Sequence, residues 1–289
     1  MLTVNGMTAK ADYITRIEVK GLWGREDLVW DLLPDVNILS GQNGSGKTTL
    51  IRALAQLVRT GELTPDVQRL LREMAVTFNN GDVLASGERK IANGHNIDII
   101  STFDNRLKEH DAIQRLSDGT VKTELDWEIY RIQKRYLSYQ LAQGKRAIEL
   151  LTKRAPQEEL DRLTAHKTLF FDIMDTMFES TGKKIDRESE ELAFDSRWGK
   201  LTPYMLSSGE KQLLLIFATV LTEDNKPAIL LMDEPEISLH FDWQSCLIEN
   251  IRRINPNVQV IMSTHSPAVI MNGWMGNVME INDLIKTDS

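Results

Sequence analysis

The sequence predicts an α/β fold with a largely parallel sheet flanked by helices, and three observations carry that prediction. Strand-like runs alternate with helical patterns over the first 60 residues and again over the last third of the chain. In that last third, "AILLM" and "VQVIM" are apolar almost throughout, as strands buried on both faces of a parallel sheet are. Between these regions the pattern is helical, which predicts a helical lobe inserted into the α/β domain.

The composition is that of an ordinary globular protein and argues against several classes. The chain has 289 residues, a formal net charge of −8 and one cysteine, Cys246. The negative charge argues against a nucleic-acid platform over the whole surface, and a single cysteine excludes an internal disulfide framework. No signal peptide is visible, and no uncharged apolar run reaches the roughly 18–20 residues that a membrane span needs. We therefore expect a cytoplasmic protein without a membrane partner.

Two helices are predicted in the middle of the chain. Apolar residues recur at helical spacing over 125–136, and a second apolar stripe runs over 160–178. Gly144 and Pro156 are expected to interrupt the helical pattern. The resulting division has three segments, namely 1–104 and 186–289 as two parts of one α/β domain and 105–185 as the helical lobe.

A glycine-rich loop lies between a short buried strand and a helical pattern. It reads "GQNGSGKT" at 41–48. Its glycines let backbone N–H groups surround phosphate oxygens, and the start of the following helix adds a favourable dipole. In this pattern Lys47 reaches the β- and γ-phosphates, and the Thr48 hydroxyl ligates Mg²⁺. The loop therefore predicts a nucleotide site.

Two carboxylates follow the strand "AILLM", at the edge of the sheet where ligands bind in open α/β folds. Asp233 is expected to hold Mg²⁺ through water. Glu234 is expected to act as the general base that polarises the attacking water. Taken alone, such a pair is also a common strand ending, so its meaning depends on the phosphate loop.

Two further segments have functional and structural explanations. "LSSGEKQ" places Ser207, Ser208 and Gly209 at the start of a buried helix, where an anion could bind, although an N-cap serine also explains it. "STHSP" places His265 at the end of a buried strand, where it could hydrogen-bond a γ-phosphate or serve a structural role. The four segments in this order are far more specific than any one of them.

Together, the four segments resemble the ABC-type ATPase family over roughly the first 60 and the last 90 residues. The resemblance implies a head with a parallel sheet, an added antiparallel region of N-terminal strands, and ATP and Mg²⁺ as ligands. It also implies a homodimer in which ATP is sandwiched between the phosphate loop of one head and the signature segment of the other. The implied catalytic residues are Lys47, Glu234 and His265, and the implied metal ligands are Thr48 and Asp233. The residues implied in nucleotide binding are Gly41, Asn43, Gly44, Ser45, Gly46, Lys47, Thr48, Thr49, Ser207, Ser208 and Gly209.

The chain departs from the family pattern in a few places. Ser208 and Glu210 replace a glycine and a glutamine of the common signature, which leaves the helix-dipole argument intact. The glutamine that usually follows the next strand has only Gln114 as a weak counterpart. Trp23 and Trp30 are candidates for an adenine platform, but core packing explains them better.

"EISLH" and "STHSP" resemble the soluble branch of the family, which includes RecF, the SMC-like repair ATPases, and the OLD-type and Septu-type ATPases of antiphage defence. This resemblance implies an ATP-driven dimeric switch that controls a separate effector, such as a nuclease or toxin, in bacterial defence. An alternative is a repair ATPase that clamps DNA through residues 131–154, where seven basic residues accompany one acid. A transporter head is a third alternative, which the same two segments disfavour.

Overall fold

The computed structural model describes residues 11–87, 97–100 and 121–286. They belong to two compact units, the first drawn from 1–101, 227–235 and 257–289 and the second from 102–226 and 236–256. The three-segment division stays a prediction. Along the chain, the strands and α-helices are β1 (Ile14–Leu22), β2 (Glu26–Asp31), β3 (Val36–Ser40), α1 (Lys47–Thr60), α2 (Pro65–Gln68), β4 (Glu73–Phe78), β5 (Val83–Ala85), β6 (Ile97–Ile100), α3 (Glu124–Thr152), α4 (Gln157–Phe178), β7 (Lys183–Ile185), β8 (Phe194–Ser196), β9 (Gly199–Leu201), α5 (Ser208–Thr222), β10 (Ala228–Asp233), α6 (Phe241–Ser245), α7 (Leu247–Ile254), β11 (Val258–Ser263), α8 (Pro267–Met271) and β12 (Val278–Glu280).

The first unit contains the predicted parallel sheet. Its strand order is β12-β3-β11-β10-β6, and each neighbouring pair is parallel. Every residue of β10 and β11 is buried, which explains the continuous apolar sequence of these strands. Because parallel strands end at the same edge, Asp233 at the end of β10 lies in register with Ser263 at the end of β11.

The first unit also contains the antiparallel strand region that the family resemblance implies. Its strand order is β2-β1-β4-β5. Helix α1 begins after Gly46 and ends at Thr60, with Gly61 as its C-cap, and its buried face includes Leu50 and Leu54. These leucines belong to one hydrophobic core with Ile17 of the antiparallel sheet and residues of the parallel sheet. The core therefore fixes the helix that follows the phosphate loop.

The second unit is largely helical, with a small antiparallel sheet of order β7-β8-β9. Helix α5 is its centre and packs against α3, α4 and α7. Residues 212–221 of α5 are all buried, so its sequence is apolar nearly all round, as predicted. Within the described ranges, no helix has the length and apolarity that crossing a membrane requires.

The expectation that Gly144 interrupts the helical pattern is wrong. Helix α3 runs without a break for 29 residues and begins with a capping box formed by Thr123 and Asp126. One exposed glycine costs about 1 kcal/mol relative to alanine, which the burial of the opposite face of α3 outweighs. The helix ends at Thr152 and is capped by Lys153, the next residue Arg154 has a φ of 52°, and Pro156 directly precedes α4.

Candidate functional site

The phosphate loop connects β3 to α1 in the first unit. Gly46 has a φ of 98°, in the left-handed region that glycine enters without strain. A Cβ atom at Gly46 would lie 2.8 Å from the Trp23 ring. Lys47 is buried, and its Nζ donates hydrogen bonds to the carbonyl oxygens of Gly41 at 2.9 Å and Gln42 at 3.0 Å. The lysine charge is therefore held inside the loop.

The other predicted loop residues are arranged around this lysine. Asn43 and Gly44 are exposed, while Ser45 is partly buried. Thr49 is partly buried in the first turn of α1. Their contacts with a nucleotide stay predictions.

Thr48, Asp233 and Ser263 form a hydrogen-bonded group at the carboxyl edge of the sheet. Thr48 Oγ1 donates to Asp233 Oδ1 at 3.1 Å, and Ser263 Oγ donates to the same oxygen at 2.6 Å. Asp233 is only 6% exposed, so its charge would interact strongly with a cation placed beside it. The sequence analysis singled out Thr48 and Asp233 but missed Ser263, whose partner lies 30 positions away on a neighbouring strand.

Glu234 has an unusual backbone conformation. Its φ is 48°, in the left-handed region, which costs a non-glycine residue of order 1–3 kcal/mol. Its N–H donates to Ser263 O at 3.0 Å and to Ser263 Oγ at 3.1 Å, which holds the residue in place. Glu234 Oε1 lies 3.6 Å from His265 Nε2, and both side chains are partly exposed. The geometry thus brings the predicted base and the predicted switch histidine together.

The groups at this site fit a nucleotide with Mg²⁺. Mg²⁺ is usually held by one or two protein oxygens together with phosphate oxygens and waters, and Thr48 and Asp233 supply a hydroxyl and a carboxylate. Ser45 Oγ is buried and makes no hydrogen bond to any described residue, as expected for a loop hydroxyl that has its partner on a ligand. The described part of the chain has no group of three or more His, Cys, Asp or Glu residues that could hold a metal ion.

The signature segment begins α5 in the second unit. Ser207 is the N-cap, and Ser207 N donates to the Glu210 carboxylate at 2.9 Å. Ser207 and Ser208 are exposed, whereas Gly209 is buried. A Cβ atom at Gly209 would lie 2.3 Å from the backbone oxygen of Ser238, so glycine is required by close backbone packing. The cap explains Ser207 locally, and contact with ATP stays a prediction.

Glu210 has a structural role that the sequence analysis missed. It is 2% exposed, and its Oε1 lies 2.6 Å from Lys183 Nζ. Burial alone would raise its pKa, but the Lys183 and Ser207 hydrogen bonds hold the pKa of this carboxyl below its ordinary value. The residue that replaces the usual signature glutamine is therefore one member of a buried ion pair.

The two aromatic candidates for an adenine platform, Trp23 and Trp30, differ in burial. Trp30 is 2% exposed and belongs to the core, as expected. Trp23 is 42% exposed and lies against the phosphate loop, so core packing does not explain it. Gln114, the weak candidate for the missing glutamine, lies outside the described residues.

Residues 93–272, more than half of the chain, match the family described as "AAA domain, putative AbiEii toxin, Type IV TA system". The chain belongs to this family. The matched range contains the signature segment, Asp233, Glu234 and His265, while the phosphate loop precedes it.

Individual relatives agree with that assignment. Septu protein PtuA of Bacillus thuringiensis is 21% identical to this chain, over 94% of this chain and 75% of PtuA. Retron Vc95 probable ATPase of Vibrio cholerae serotype O1 biovar El Tor is 33% identical over a shorter stretch, which covers 35% of this chain and 20% of that protein. Among solved structures, an SMC head bound to the C-winged helix domain of ScpA aligns with a TM-score of 0.52 and 16% identity, over 90% of this chain and 92% of that one. These findings confirm the predicted fold and the resemblance to SMC-like ATPases with relatives in defence systems.

Proposed function

We propose that the chain binds MgATP, hydrolyses it to ADP and phosphate, and acts as a dimeric switch that controls a separate effector in antiphage defence. One observation carries the proposal: the five residues with predicted catalytic or metal-binding roles all lie in one unit, at one edge of its sheet, namely Lys47, Thr48, Asp233, Glu234 and His265. Residues this far apart in sequence converge there only through the strand order.

Each side chain has a defined part in the proposed reaction. Lys47 and the loop N–H groups bind the phosphates, and Thr48 and Asp233 hold Mg²⁺, which neutralises phosphate charge. Glu234 takes a proton from a water molecule as the water oxygen bonds to the γ-phosphorus and the bond to the β–γ bridging oxygen breaks. His265, 3.6 Å from Glu234, orients the γ-phosphate by a hydrogen bond.

The dimer belongs to the proposal because of the signature segment. Ser207, Ser208 and Gly209 start α5 with exposed serines, and a helix N-terminus favours an anion. We propose that this segment of one copy meets the γ-phosphate held by the other copy.

Two substitutions and a control test the proposal. Lys47→Ala is expected to abolish MgATP binding or turnover. Glu234→Gln is expected to bind MgATP, hydrolyse it at least about 100-fold more slowly and accumulate as a dimer. Glu62→Gln is an isosteric control at an exposed carboxylate after α1. Phosphate release and light scattering are the measurements.

Either substitution could contradict the proposal. Unchanged turnover in Lys47→Ala would refute the site. A Glu234→Gln protein that stays monomeric in saturating MgATP would refute the ATP sandwich.

The effector role is preferred over the DNA clamp because of the ion pairs around α3. Four of the seven basic residues in 131–154 pair with acids, in the pairs Arg131–Glu128, Arg135–Glu223, Arg146–Asp224 and Lys153–Glu149. That leaves much less free positive charge than the sequence alone suggests, and phosphate neutralisation dominates DNA affinity. The similarity to Septu PtuA and to a retron ATPase supports a defence partner, such as a nuclease or toxin, in the cytoplasm.

A further inference from the structure

Helix α3 has two apolar faces, and among the described residues only one of them is covered. The covered face includes Ile129, Ile132 and Tyr136, all at most 3% exposed, and α3 packs against α4 and α5. The other face bears the partly buried Leu137 and the exposed Leu141, Ile148 and Leu151, and we call these four residues the exposed stripe. Leu141, Ile148 and Leu151 are 69%, 66% and 62% exposed.

The exposed stripe is continuous along the helix. At about 100° per residue, its members fall within a sector of about 80°, and at about 1.5 Å per residue they span about 21 Å. Gly144 lies in the middle of the same sector, and no atom of the described residues lies within 4 Å of a Cβ atom added there. A neighbouring helix could therefore approach the α3 backbone closely at this point. Aligned exposed apolar residues over this length are typical of a docking surface.

The charges beside the exposed stripe indicate what docks there. Lys134 and Lys145 lie along one flank, and Arg154 follows the end of the helix. None of the three forms an ion pair with a described residue. Lys134 Nζ lies 5.4 Å from the centroid of the Tyr130 ring. The flank thus carries uncompensated positive charge beside an apolar strip.

We propose that the exposed stripe docks an amphipathic helix of a separate partner protein, with an apolar face flanked by aspartate and glutamate. This inference rests on the proposed function in that the partner is the effector under control. A partner of this kind would bury the leucines and isoleucine and would neutralise the lysines at the same time.

Two other occupants fit the same surface less well. A second copy packed antiparallel about Gly144 would bring the two Lys145 side chains together and would set Lys134 near Arg154, so like charges would repel. Duplex DNA would place phosphates against exposed leucine side chains, which gain nothing from that contact.

The test uses the full chain and a pair of synthetic helical peptides. One peptide has leucines at every third or fourth position with flanking glutamates, and its twin has lysines in place of the glutamates. Binding is measured by fluorescence anisotropy without ATP, and ATPase activity is measured separately. Failure of docking and failure of the ATPase proposal are therefore distinguishable.

We expect the acidic peptide to bind and the basic twin to bind at least about tenfold more weakly. The double variant Leu141→Gln, Ile148→Gln should weaken acidic-peptide binding by at least about tenfold without unfolding, because both positions are exposed and glutamine favours helix. Met271→Gln, at a methionine that is 70% exposed in the other unit, is the matched control and should change nothing. Lys134→Glu with Lys145→Glu should invert the peptide preference, while Lys184→Glu, at an exposed lysine of β7 outside the stripe, should leave it unchanged.

Three outcomes would overturn the proposal. The first is that neither peptide binds, or that both bind equally. The second is that the glutamine variants dissociate a dimer of the chain instead of weakening peptide binding, which would assign the stripe to a second copy. The third is that duplex DNA binds with a dependence on Lys134 and Lys145 while the peptides do not.

Discussion

Replacing Gly144 and Gly209 by alanine, one at a time, separates helix propensity from a steric contact. Both glycines are helical, one in the middle of α3 and one in the first turn of α5. At Gly144 an added Cβ atom meets no atom of the described part of the chain within 4 Å, but at Gly209 it lies 2.3 Å from the backbone oxygen of Ser238. Both variants therefore add one methyl group to a helical glycine, but only the methyl group at position 209 meets a backbone atom.

The magnitudes follow from these distances. In a helix interior, alanine is more favourable than glycine by about 0.8–1 kcal/mol, so Gly144→Ala should raise the free energy of unfolding by about that amount. At Gly209 an ordinary contact needs roughly 1 Å more separation, and the obstacle is backbone, which cannot rotate away. Overpacking of this kind costs about 1–3 kcal/mol. Gly209→Ala should therefore be less stable than Gly144→Ala by about 1–3 kcal/mol.

Thermal unfolding of the two variants and the unchanged protein is the assay. At this size, each kcal/mol corresponds to about 2–4 °C in Tm. Gly144→Ala should melt above the unchanged protein, and Gly209→Ala should melt below Gly144→Ala by several degrees. Equal stabilisation by both substitutions would refute the close approach between α5 and the Ser238 segment.

Two further predictions concern buried polar groups. Glu210→Gln keeps the capping geometry but removes the charge that pairs with Lys183, and should cost about 3 kcal/mol at neutral pH. Because the folded-state pKa of Glu210 is lowered, the loss should shrink as the pH falls through the carboxylate range, and a pH-independent loss in urea unfolding would refute the pairing. Ser263→Ala removes a 2.6 Å hydrogen bond to the Asp233 carboxylate, and should lower ATP turnover about tenfold and raise the Mg²⁺ concentration needed for half-maximal activity. Unchanged Mg²⁺ dependence would show that Ser263 does not position Asp233.

The parts of the fold that were predictable have local sequence signals. The glycines of residues 41–48 predict the loop. The nearly continuous apolar sequences of β10 and β11 predict that both strands are buried. The prediction that α3 is interrupted at Gly144 is wrong because it rests on the low helix propensity of glycine. Packing of the opposite face of α3 decides whether the helix continues. Helix propensity depends on the residue itself, whereas packing depends on residues that are distant in the sequence.

The residues that were missed depend on partners far away in the sequence. Glu210 looked like a mild change in the signature, but its partner Lys183 is 27 positions away on β7. Trp23 looked like a core residue, and only the folded loop shows its ring beside Gly46. No periodicity within a segment encodes such contacts, because they depend on which elements become neighbours.

Ser263 shows how the register of two strands organises the proposed chemistry. Its Oγ donates to Asp233 and accepts from the Glu234 N–H, so one hydroxyl contacts the proposed metal ligand and the residue after it, the proposed base. Thr48 Oγ1 also bonds Asp233, but the Thr48 oxygen is the atom expected to ligate Mg²⁺, so binding the metal would change that contact. Ser263 is not expected to ligate Mg²⁺. Its hydrogen bond can therefore hold the Asp233 carboxylate in one orientation with or without the ion. Because Glu234 is hydrogen-bonded to the same serine in a strained backbone conformation, a shift of Asp233 that moves Ser263 would also displace the proposed base.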